Sequence, residues 1–310
     1  MLSDSDGGRI LFFMKKAILV YNKNAGRGAV ERHVAQIVSV FDDAGYEMLP
    51  KALCFGENPM EGSEDVDLVV IAGGDGTINY VVNGIMHKAL SPRIGVIPAG
   101  TANDFAGAIG MSRDFVQAAK QIIAGETELI DCGRVEYINR AEGDRDRYFV
   151  NIFSFGIFTT TSQHTPEQLK HRIGKSAYIL AAFKELRNLH GIPLTVTTDG
   201  EAFYYPTLMG LVFNGETAGR MPIARKSSLR DGVFDCLLLR KRKPFMSMCD
   251  MLLYMVGIET KAVKYFQTSE LTLVTPLEEK TDVDGQYGGA FPMKLSCMKG
   301  ALKIICPKEI

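Results

Sequence analysis

A glycine-rich loop with a single carboxylate follows a mostly apolar run at residues 66–72. The run has the length and composition of a strand buried on both faces of a parallel sheet, and we expect it to end at Ala72. The loop and the start of the next element are Gly73, Gly74, Asp75, Gly76, Thr77, Ile78 and Asn79. Glycines let backbone N–H groups approach a phosphate, and a helix N-terminus favours negative charge. The pattern alone leaves a phosphate-binding loop and an ordinary turn open.

The residues after this loop repeat with the period of a helix that packs on a sheet. The apolar positions are Ile78, Val81, Val82, Ile85 and Met86. A strand, a loop and a helix in this order place the loop at the carboxyl edge of the sheet, where α/β proteins bind ligands.

A second loop of small and polar residues follows the next apolar run, residues 94–97. Its residues are Pro98, Ala99, Gly100, Thr101, Ala102, Asn103, Asp104 and Phe105. Because successive parallel strands end at the same edge of a sheet, we expect the two loops to face each other across one crevice.

A third loop, residues 22–28, lies between the first predicted strand and a helix. The strand ends at Tyr21, and the helix has its apolar stripe at Val30, Val34, Ile37, Val38 and Phe41 and stops at Gly45. The loop contains Gly26 and Arg27. Arg27 is either a phosphate contact or a solvated surface charge.

Composition describes an ordinary globular protein of about two domains. The 310 residues are 46% hydrophobic and 23% charged, with a net charge of −1, so no overall charge favours nucleic acid. The six cysteines have no Cys-x-x-Cys pair, and no secretory or membrane-spanning run appears, so we expect reduced thiols and a cytoplasmic protein. Residues 1–13 are predicted to be an extension before the first strand, which begins near residue 14.

The first domain is predicted to be an α/β unit over residues 14–133. Its second strand should span Tyr46 to Leu53, and its last helix should begin with Ser112 as N-cap and end at Gly125. The unit closes with the strand Leu129–Gly133, which carries Asp131. A carboxylate within an apolar strand is either paired or functional.

From residue 134 the pattern changes to short β-strands, which predicts a second, largely antiparallel domain over residues 134–297. We expect strands near residues 149–152, 194–198, 204–213, 234–239, 271–274 and 302–305. Asp199-Gly200 predicts a hairpin. Long helices are expected at 166–189 and after Pro244, and residues 298–310 are expected to return to the first domain.

Together, GGDGTIN at 73–79 and PAGTANDFA at 98–106 resemble the bacterial diacylglycerol-kinase-like lipid kinases, relatives of sphingosine kinases and, more distantly, of NAD kinases and phosphofructokinases. The resemblance implies a parallel-sheet α/β domain of the NAD-kinase and phosphofructokinase type with a β-rich second domain. It implies transfer of the γ-phosphate of ATP to a lipid hydroxyl, with diacylglycerol the leading acceptor. Another lipid, or a soluble acceptor such as NAD, is the alternative within enzymes.

The resemblance also implies roles for the three loops. Asn22, the 73–79 loop and Thr101 would bind nucleotide, and Asp75 would act through phosphate-bound Mg²⁺ or by orienting phosphate. Arg27 and Asp131 would stabilise and order the transfer site, Asp131 in a triad with a basic residue and a Glu. Two departures stand out: Lys23 replaces a family proline, and residues 52–55 lack the threonine that often contacts nucleotide.

Two further motifs belong to the second half of the chain. The Asp-Gly segment at 231–232 resembles one that holds a structural Mg²⁺ in the family, through the Asp231 carboxylate and the carbonyls of Ser228 and Val233; a plain turn is the alternative. At 284–286 the family reads Asp-Gly-Glu, with the Glu as the base for the lipid hydroxyl, but this chain has Gln286. An amide cannot act as that base. The sequence therefore leaves three alternatives. Phosphoryl transfer could proceed through positioning and charge neutralisation, Asp284 could act as the substitute base, or the protein could bind nucleotide or lipid without catalysis.

Partners implied by these motifs are ATP and a lipid substrate at a membrane surface. Basic residues at Arg220, Arg225, Lys226, Arg230 and 240–243 could approach anionic head groups, although solvated turns explain such residues more often. A homodimer is left open.

Overall fold

The computed structural model describes residues 15–140, 143–156, 190–215, 217–218, 221–222, 227–255 and 257–308. The predicted extension at 1–13, the predicted helix at 166–189 and the basic residues Arg220, Arg225 and Lys226 lie outside the described residues.

The first half alternates strands and helices, as the apolar periodicity predicted. Its elements are β1 (Lys15–Tyr21), α1 (Ala25–Asp43), β2 (Tyr46–Ala52), β3 (Leu68–Gly73), α2 (Asp75–His87), β4 (Arg93–Pro98), α3 (Asp104–Ala108), α4 (Phe115–Ala124) and β5 (Glu126–Tyr137). All six residues of β3 are buried, as expected for a central strand covered on both faces.

Four strands of this half form a parallel sheet in the order β2-β1-β3-β4. Helices α1, α2 and α4 supply the apolar side chains that cover it, including Val30, Ile37, Val82 and Ile122. The carboxyl ends of β1, β3 and β4 therefore lie side by side, and each leads directly into one of the three predicted loops.

The beginning of α4 differs from the prediction. Asp114, not Ser112, is the N-cap, because its side chain accepts a hydrogen bond from Gln117 N at 2.8 Å. The Ser112 hydroxyl instead accepts from Asp114 N at 3.2 Å. Both residue types cap helices, so the sequence pattern could not choose between them.

The second half is predominantly antiparallel. Its elements are β6 (Arg147–Phe149), β7 (Ile152–Gly156), β8 (Ile192–Thr198), β9 (Glu201–Phe213), β10 (Thr217–Ala218), β11 (Met221–Pro222), β12 (Phe234–Arg240), α5 (Pro244–Met255), β13 (Val263–Thr268), β14 (Glu270–Val274), β15 (Thr281–Val283), β16 (Gln286–Tyr287) and β17 (Met293–Cys306). Strands β8 and β9 form the predicted hairpin, with positive φ at Asp199 and Gly200.

The strand predicted at 149–152 is two strands, β6 and β7. The strand is interrupted at Val150 and Asn151, whose N–H groups donate to the Asp284 carboxylate. A side chain far along the sequence thus takes hydrogen bonds that a continuous strand would make to its neighbours.

A long antiparallel ribbon of β5 and β17 joins the two halves. Strand β17 begins against β14 in the second half and ends beside β4, where Lys303 and Ile304 pair in parallel with Arg93 and Ile94. The last strand therefore extends the first sheet, while the domain boundaries themselves stay a prediction.

Separate apolar layers fill the two halves. The layer around β1, β3 and β4 includes Ile18, Val70 and Phe105. In the second half one layer is rich in phenylalanine, and another joins Met209, Leu211 and Leu237 to α5. Among the described residues, no helix is both long enough and apolar enough to cross a bilayer.

Candidate active site at the carboxyl edge of the parallel sheet

The glycine loop after β3 and the loop after β4 are in direct contact. Ala99 N donates to Gly73 O at 2.8 Å, and a Cβ built on Gly100 would lie 2.5 Å from Gly74 Cα. Only glycine at these positions permits this approach of two backbones. The two loops therefore meet, as the sequence predicted, but their backbones are in direct contact at Gly74 and Gly100 and are not separated by a crevice.

Asn103 holds the second loop in shape. It has a left-handed backbone (φ 56°), and its side-chain amide accepts from Gly100 N at 2.7 Å and donates to Gly100 O at 2.8 Å. The residue is buried, so these bonds replace water that the Gly100 backbone would otherwise need. Thr101, the predicted nucleotide contact in this loop, is exposed.

Asp75 lies in the first turn of α2 and reaches the start of α3. Its Oδ1 accepts from Phe105 N at 3.2 Å. Burial raises the pKa of Asp75, partly opposed by the backbone N–H groups of residues 103–105. This carboxylate therefore links the two loops at the carboxyl edge of the sheet.

The loop after β1 completes this edge. Asn22 N donates to Ala72 O at 3.1 Å, while the Asn22 side chain accepts from Asn24 N at 3.0 Å. Gly26, Arg27 and Gly28 have left-handed backbones (φ 58°, 58° and 76°). In the part of the chain that is described, the exposed Arg27 guanidinium has no carboxylate within ion-pair distance, so it is available to an anion.

Two predicted nucleotide contacts after the glycine loop have other roles in the structure. Thr77 is buried, and its side chain occupies the space where Gly73 would carry a Cβ. The Asn79 amide donates to Tyr148 O at 2.8 Å and to Asp284 Oδ2 at 3.0 Å. Both amide hydrogens of Asn79 are thereby used to bind the second half of the chain.

Asp284 is the acceptor at the centre of this connection. Its two oxygens accept from the N–H groups of Val150, Asn151 and Ile152 at 2.7–3.0 Å, as well as from Asn79. Burial raises the pKa of Asp284 to about 6. The carboxylate is 8% exposed and its oxygens already accept from four N–H donors. Asp284 therefore holds neighbouring segments in place and is poorly placed to accept a proton from a lipid hydroxyl.

Gln286 lies over the glycine loop. A Cβ built on Gly76 would be 3.3 Å from Gln286 Nε2, and the Gln286 side chain is exposed. The structure thus brings the residue predicted at the family's base position to the candidate phosphate site, but an amide carries no titratable proton acceptor.

Asp131 is fully buried and bound by backbone donors. It accepts from Gly232 N at 2.6 Å and from Gly300 N at 2.7 Å. No ion pair joins it to a basic side chain among the residues that the structure describes. Asp131 anchors the 228–233 segment and β17 through these bonds, and its implied triad with a basic residue and a Glu stays a prediction.

The predicted metal segment lies beside Asp131. Asp231 Oδ1 accepts from Val233 N at 3.1 Å, and Lys299 Nζ contacts Asp231 O at 3.4 Å. Burial, together with the negative charges of Asp235 and Asp131, raises the pKa of Asp231. A bound cation would favour the ionised carboxylate and so oppose this effect. In the described ranges no three His, Cys, Asp or Glu side chains cluster as a metal cage. One carboxylate with backbone oxygens and water still suits Mg²⁺, so the segment fits the implied ion.

Two further asparagines, which no sequence motif marks, complete the connections between the halves. Asn83 exchanges hydrogen bonds with Tyr148 N and O at 3.0 and 2.9 Å. Asn214 donates to Asp131 O at 2.9 Å and to Val150 O at 3.0 Å. The only signal for Asn83 was a polar residue in the mostly apolar α2, and Asn214, directly after β9, gave none.

Comparison with known proteins identifies the family. Residues 16–135 match the diacylglycerol kinase catalytic domain, and residues 151–306 match the YegS C-terminal NAD kinase β-sandwich-like domain. The chain is 33% identical to a diacylglycerol kinase of Bacillus subtilis (strain 168), over 96% of this chain and 98% of that protein. It is 31% identical to a diacylglycerol kinase of Staphylococcus aureus (strain JH9), over 96% of this chain and 94% of that protein.

Solved structures share the fold. A putative diacylglycerol kinase from Bacillus anthracis str. Sterne has a TM-score of 0.78 at 22% identity, over 94% of this chain and 95% of that one. Yeast NADH kinase complexed with NADH has a TM-score of 0.57 at 12% identity, over 96% of this chain and 84% of that one. The predicted fold class, a parallel-sheet α/β half with an antiparallel β half, is confirmed.

The chain belongs to the diacylglycerol-kinase-like family of lipid kinases. It is thus a kinase of the phosphotransferase class, and membership of a kinase family implies ATP as the phosphoryl donor.

Proposed function

We propose that this protein transfers the γ-phosphoryl group of ATP to the hydroxyl of a lipid, with diacylglycerol as the acceptor. The observation that carries the proposal is the meeting of two halves at one crevice: three loops at the carboxyl edge of the parallel sheet, and Gln286 from the second half against Gly76. The naming of relatives as diacylglycerol kinases supports this acceptor.

The loops would hold the nucleotide phosphates. The backbone N–H groups of the glycine loop and the positive N-terminal end of α2 would suit phosphate oxygens. Asp75 would orient the phosphates or the Mg²⁺ bound to them, and Arg27 would neutralise charge that develops on the transferred group. Positioning and charge neutralisation of this kind dominate catalysis of phosphoryl transfer.

A structural Mg²⁺ would be held by the Asp231 carboxylate and the carbonyls of Ser228 and Val233. When bound, the ion would supply charge that rigidifies the 228–233 segment. Asp131 would keep this segment in place through its bond from Gly232 N.

Gln286 supports a second candidate function, binding of nucleotide or lipid without catalysis. In the family the corresponding Glu is the implied proton acceptor, and no titratable side chain stands at that position here. An acceptor other than diacylglycerol remains the alternative within enzymes.

The decisive experiment offers labelled ATP and Mg²⁺ with diacylglycerol in mixed micelles, and in parallel with other lipids and with NAD. We expect labelled phosphatidic acid from the wild type. Asp75→Asn should lower the rate at least a hundredfold, about the effect of losing one electrostatic stabiliser. Asp114→Asn is the matched control, because Asn also caps α4 and the exposed Asp114 side chain accepts from Gln117 N of the same helix.

Three results would contradict the proposal. A labelled product from another acceptor alone would exclude diacylglycerol. ATP binding without any labelled product would favour the binding protein. Turnover of Asp75→Asn at the rate of the control would remove Asp75 from the mechanism.

A further inference from the structure

Helix α5 presents three apolar side chains to solvent and turns two polar side chains toward the protein. Met246, Leu252 and Leu253 are 39%, 47% and 39% exposed, whereas Ser247 and Asp250 are 0% and 6% exposed. A surface helix normally has the opposite arrangement. Among the residues that the structure describes, the exposed side of α5 therefore has no packing partner.

The orientation of α5 is fixed by its polar side chains. Arg242 Nη1 donates to both Asp250 oxygens at 3.0 and 3.3 Å, and Arg242 N donates to Ser247 Oγ at 3.3 Å. Met251 and Tyr254 pack on the apolar layer of β9 and β12. Rotating the helix to bury its leucines would break these contacts.

Exposed apolar residues are concentrated here. Of the twelve large hydrophobic side chains exposed in the described part of the chain, four lie within residues 246–258, the fourth being Ile258. At the end of α5, Ile258 N donates to Leu253 O and Gly257 N donates to Tyr254 O, both at 2.9 Å. This Schellman arrangement holds Ile258 beside the end of the helix.

The same segment carries concentrated positive charge. Residues 240–264 contain six basic and two acidic residues in a chain with a net charge of −1. Asp250 is already engaged by Arg242, while Lys243 and Lys261 are exposed. Within the described ranges, neither lysine has a carboxylate within ion-pair distance.

We propose that α5 with residues 240–243 and 258–261, the α5 face, docks the protein on an anionic lipid bilayer. Lysines attract the negative head groups, and the exposed Met, Leu and Ile side chains enter the boundary between head groups and acyl chains. A second copy of this chain fits less well, because a symmetric contact would bring two sets of like charges together.

One residue, Ile152, connects the layer beneath α5 to the candidate site. Ile152 packs in the apolar layer under α5, and its backbone exchanges hydrogen bonds with Asp284 at 2.8 and 2.9 Å. The docking proposal rests on the proposed lipid kinase function, because a lipid kinase must reach a membrane. Vesicle binding is measured without turnover, so the docking proposal and the proposed function can fail separately.

The experiment measures co-sedimentation of the full chain with large unilamellar vesicles. We expect binding to vesicles of phosphatidylcholine mixed with phosphatidylglycerol, weaker binding to phosphatidylcholine alone, and loss of binding at high salt. Leu252→Ser with Leu253→Ser should weaken binding at least tenfold, as should Lys243→Glu with Lys261→Glu, since each lysine contributes about fivefold.

Two double variants of exposed residues outside the α5 face serve as controls. Leu49→Ser with Leu129→Ser removes exposed leucines of the first half, and Lys120→Glu with Lys280→Glu reverses two exposed lysines elsewhere. Both should bind vesicles as the wild type does. All four double variants should phosphorylate a short-chain, monomeric diacylglycerol at the wild-type rate, so a silent enzyme would count against the proposed function and not against docking.

Several outcomes would overturn the docking proposal. The wild type would remain in the supernatant with anionic vesicles at low salt, or the α5 variants would bind as well as their controls. Sedimentation velocity adds a third: if the leucine variant converts a dimer to a monomer while vesicle binding is unchanged, the α5 face joins two copies of the chain.

Discussion

Gln286 and its neighbour Asp284 leave the site without an obvious proton acceptor for the lipid hydroxyl. Its amide lies beside the glycine loop at Gly76, whereas the neighbouring Asp284 carboxylate is buried and occupied by four N–H donors. A general base needs a titratable group within reach of the hydroxyl. The geometry therefore predicts a kinase that works by positioning and charge neutralisation, with its proton transfer unassisted by these two residues.

Restoring a carboxylate at this position should increase turnover. We expect Gln286→Glu to raise the rate by roughly 10²–10⁴-fold, the usual size of general-base catalysis. The gain should shrink as pH falls through the pKa of the new carboxylate, because only the ionised form accepts a proton. The measurement is the pH profile of turnover with diacylglycerol.

Gln117→Glu provides the control for added charge, because Gln117 is exposed in the first turn of α4, where Glu is well tolerated. An unchanged rate in Gln286→Glu, beside a robust wild-type rate, would show that another group takes the proton.

At the scale of elements, the crevice depends on the close approach of the loops after β3 and β4. A methyl group on Gly100 would collide with Gly74 Cα at 2.5 Å and with Asn103 Oδ1 at 2.8 Å. Both neighbours are held by backbone structure and hydrogen bonds, so neither yields easily.

Gly100→Ala should therefore weaken ATP binding at least tenfold and lower the melting temperature. Gly107→Ala is the matched control: Gly107 lies in α3, its added methyl group would meet nothing within 4 Å, and Ala favours a helix. Calorimetric ATP titration and thermal melting measure both effects. Equal behaviour of the two variants would show that loop contact does not shape the nucleotide site.

The 228–233 segment makes a separate prediction about Mg²⁺. Adding Mg²⁺ should raise the melting temperature of the wild type, because an ion bound only to the folded state stabilises it. Asp231→Asn should abolish this rise, while Asp199→Asn, at an exposed hairpin turn that Asn tolerates, should retain it. Identical melting of the wild type with Mg²⁺ and with chelator would remove the metal assignment.

At the scale of the whole molecule, Asp284 ties the two halves together. It binds α2 of the first half through Asn79 and the break between β6 and β7 through three backbone N–H groups. Asn151 O in turn accepts from Asn214 N and Gly215 N at 2.8 and 3.2 Å. The crevice between the halves is therefore braced by buried polar bonds as well as by the β5–β17 ribbon.

Asp284→Asn should lower the free energy of unfolding at neutral pH by about 3 kcal/mol, because the amide nitrogen would face donors that a carboxylate oxygen now satisfies. The difference should also depend on pH. The folded-state pKa of about 6 is above the ordinary value of 3.8, so the folded protein holds this proton more tightly than the unfolded chain. The contribution of Asp284 to stability thus rises as pH falls through 6 toward 4.

Urea unfolding at pH 7.5 and pH 5 measures this effect. The gap between the wild type and Asp284→Asn should widen by about 1 kcal/mol at pH 5. Asp199→Asn should show a gap that is small at both values. A gap for Asp284→Asn that does not change with pH would mean that burial does not raise the pKa of Asp284.

Local chemistry was predictable from the sequence. The glycine loops, the alternation of strands and helices, and the Asp199-Gly200 hairpin depend on residues a few positions apart, so their patterns predicted them. The N-cap of α4 was missed only because two capping residues lie within the same turn. The family resemblance came from the same local motifs.

The roles of Asn79, Asp131, Asp284 and Gln286 were decided by tertiary structure. Asn79 and Asp284 are 205 residues apart, and Asp131 and Gly300 are 169 residues apart, yet each pair is hydrogen-bonded. A buried polar group takes whatever donor the packed chain brings to it, and no periodicity in the sequence records that donor. The sequence thus determined where the glycine loops lie and which strands they follow, whereas only the fold decided which carboxylates brace the two halves and which side chain lies over the glycine loop.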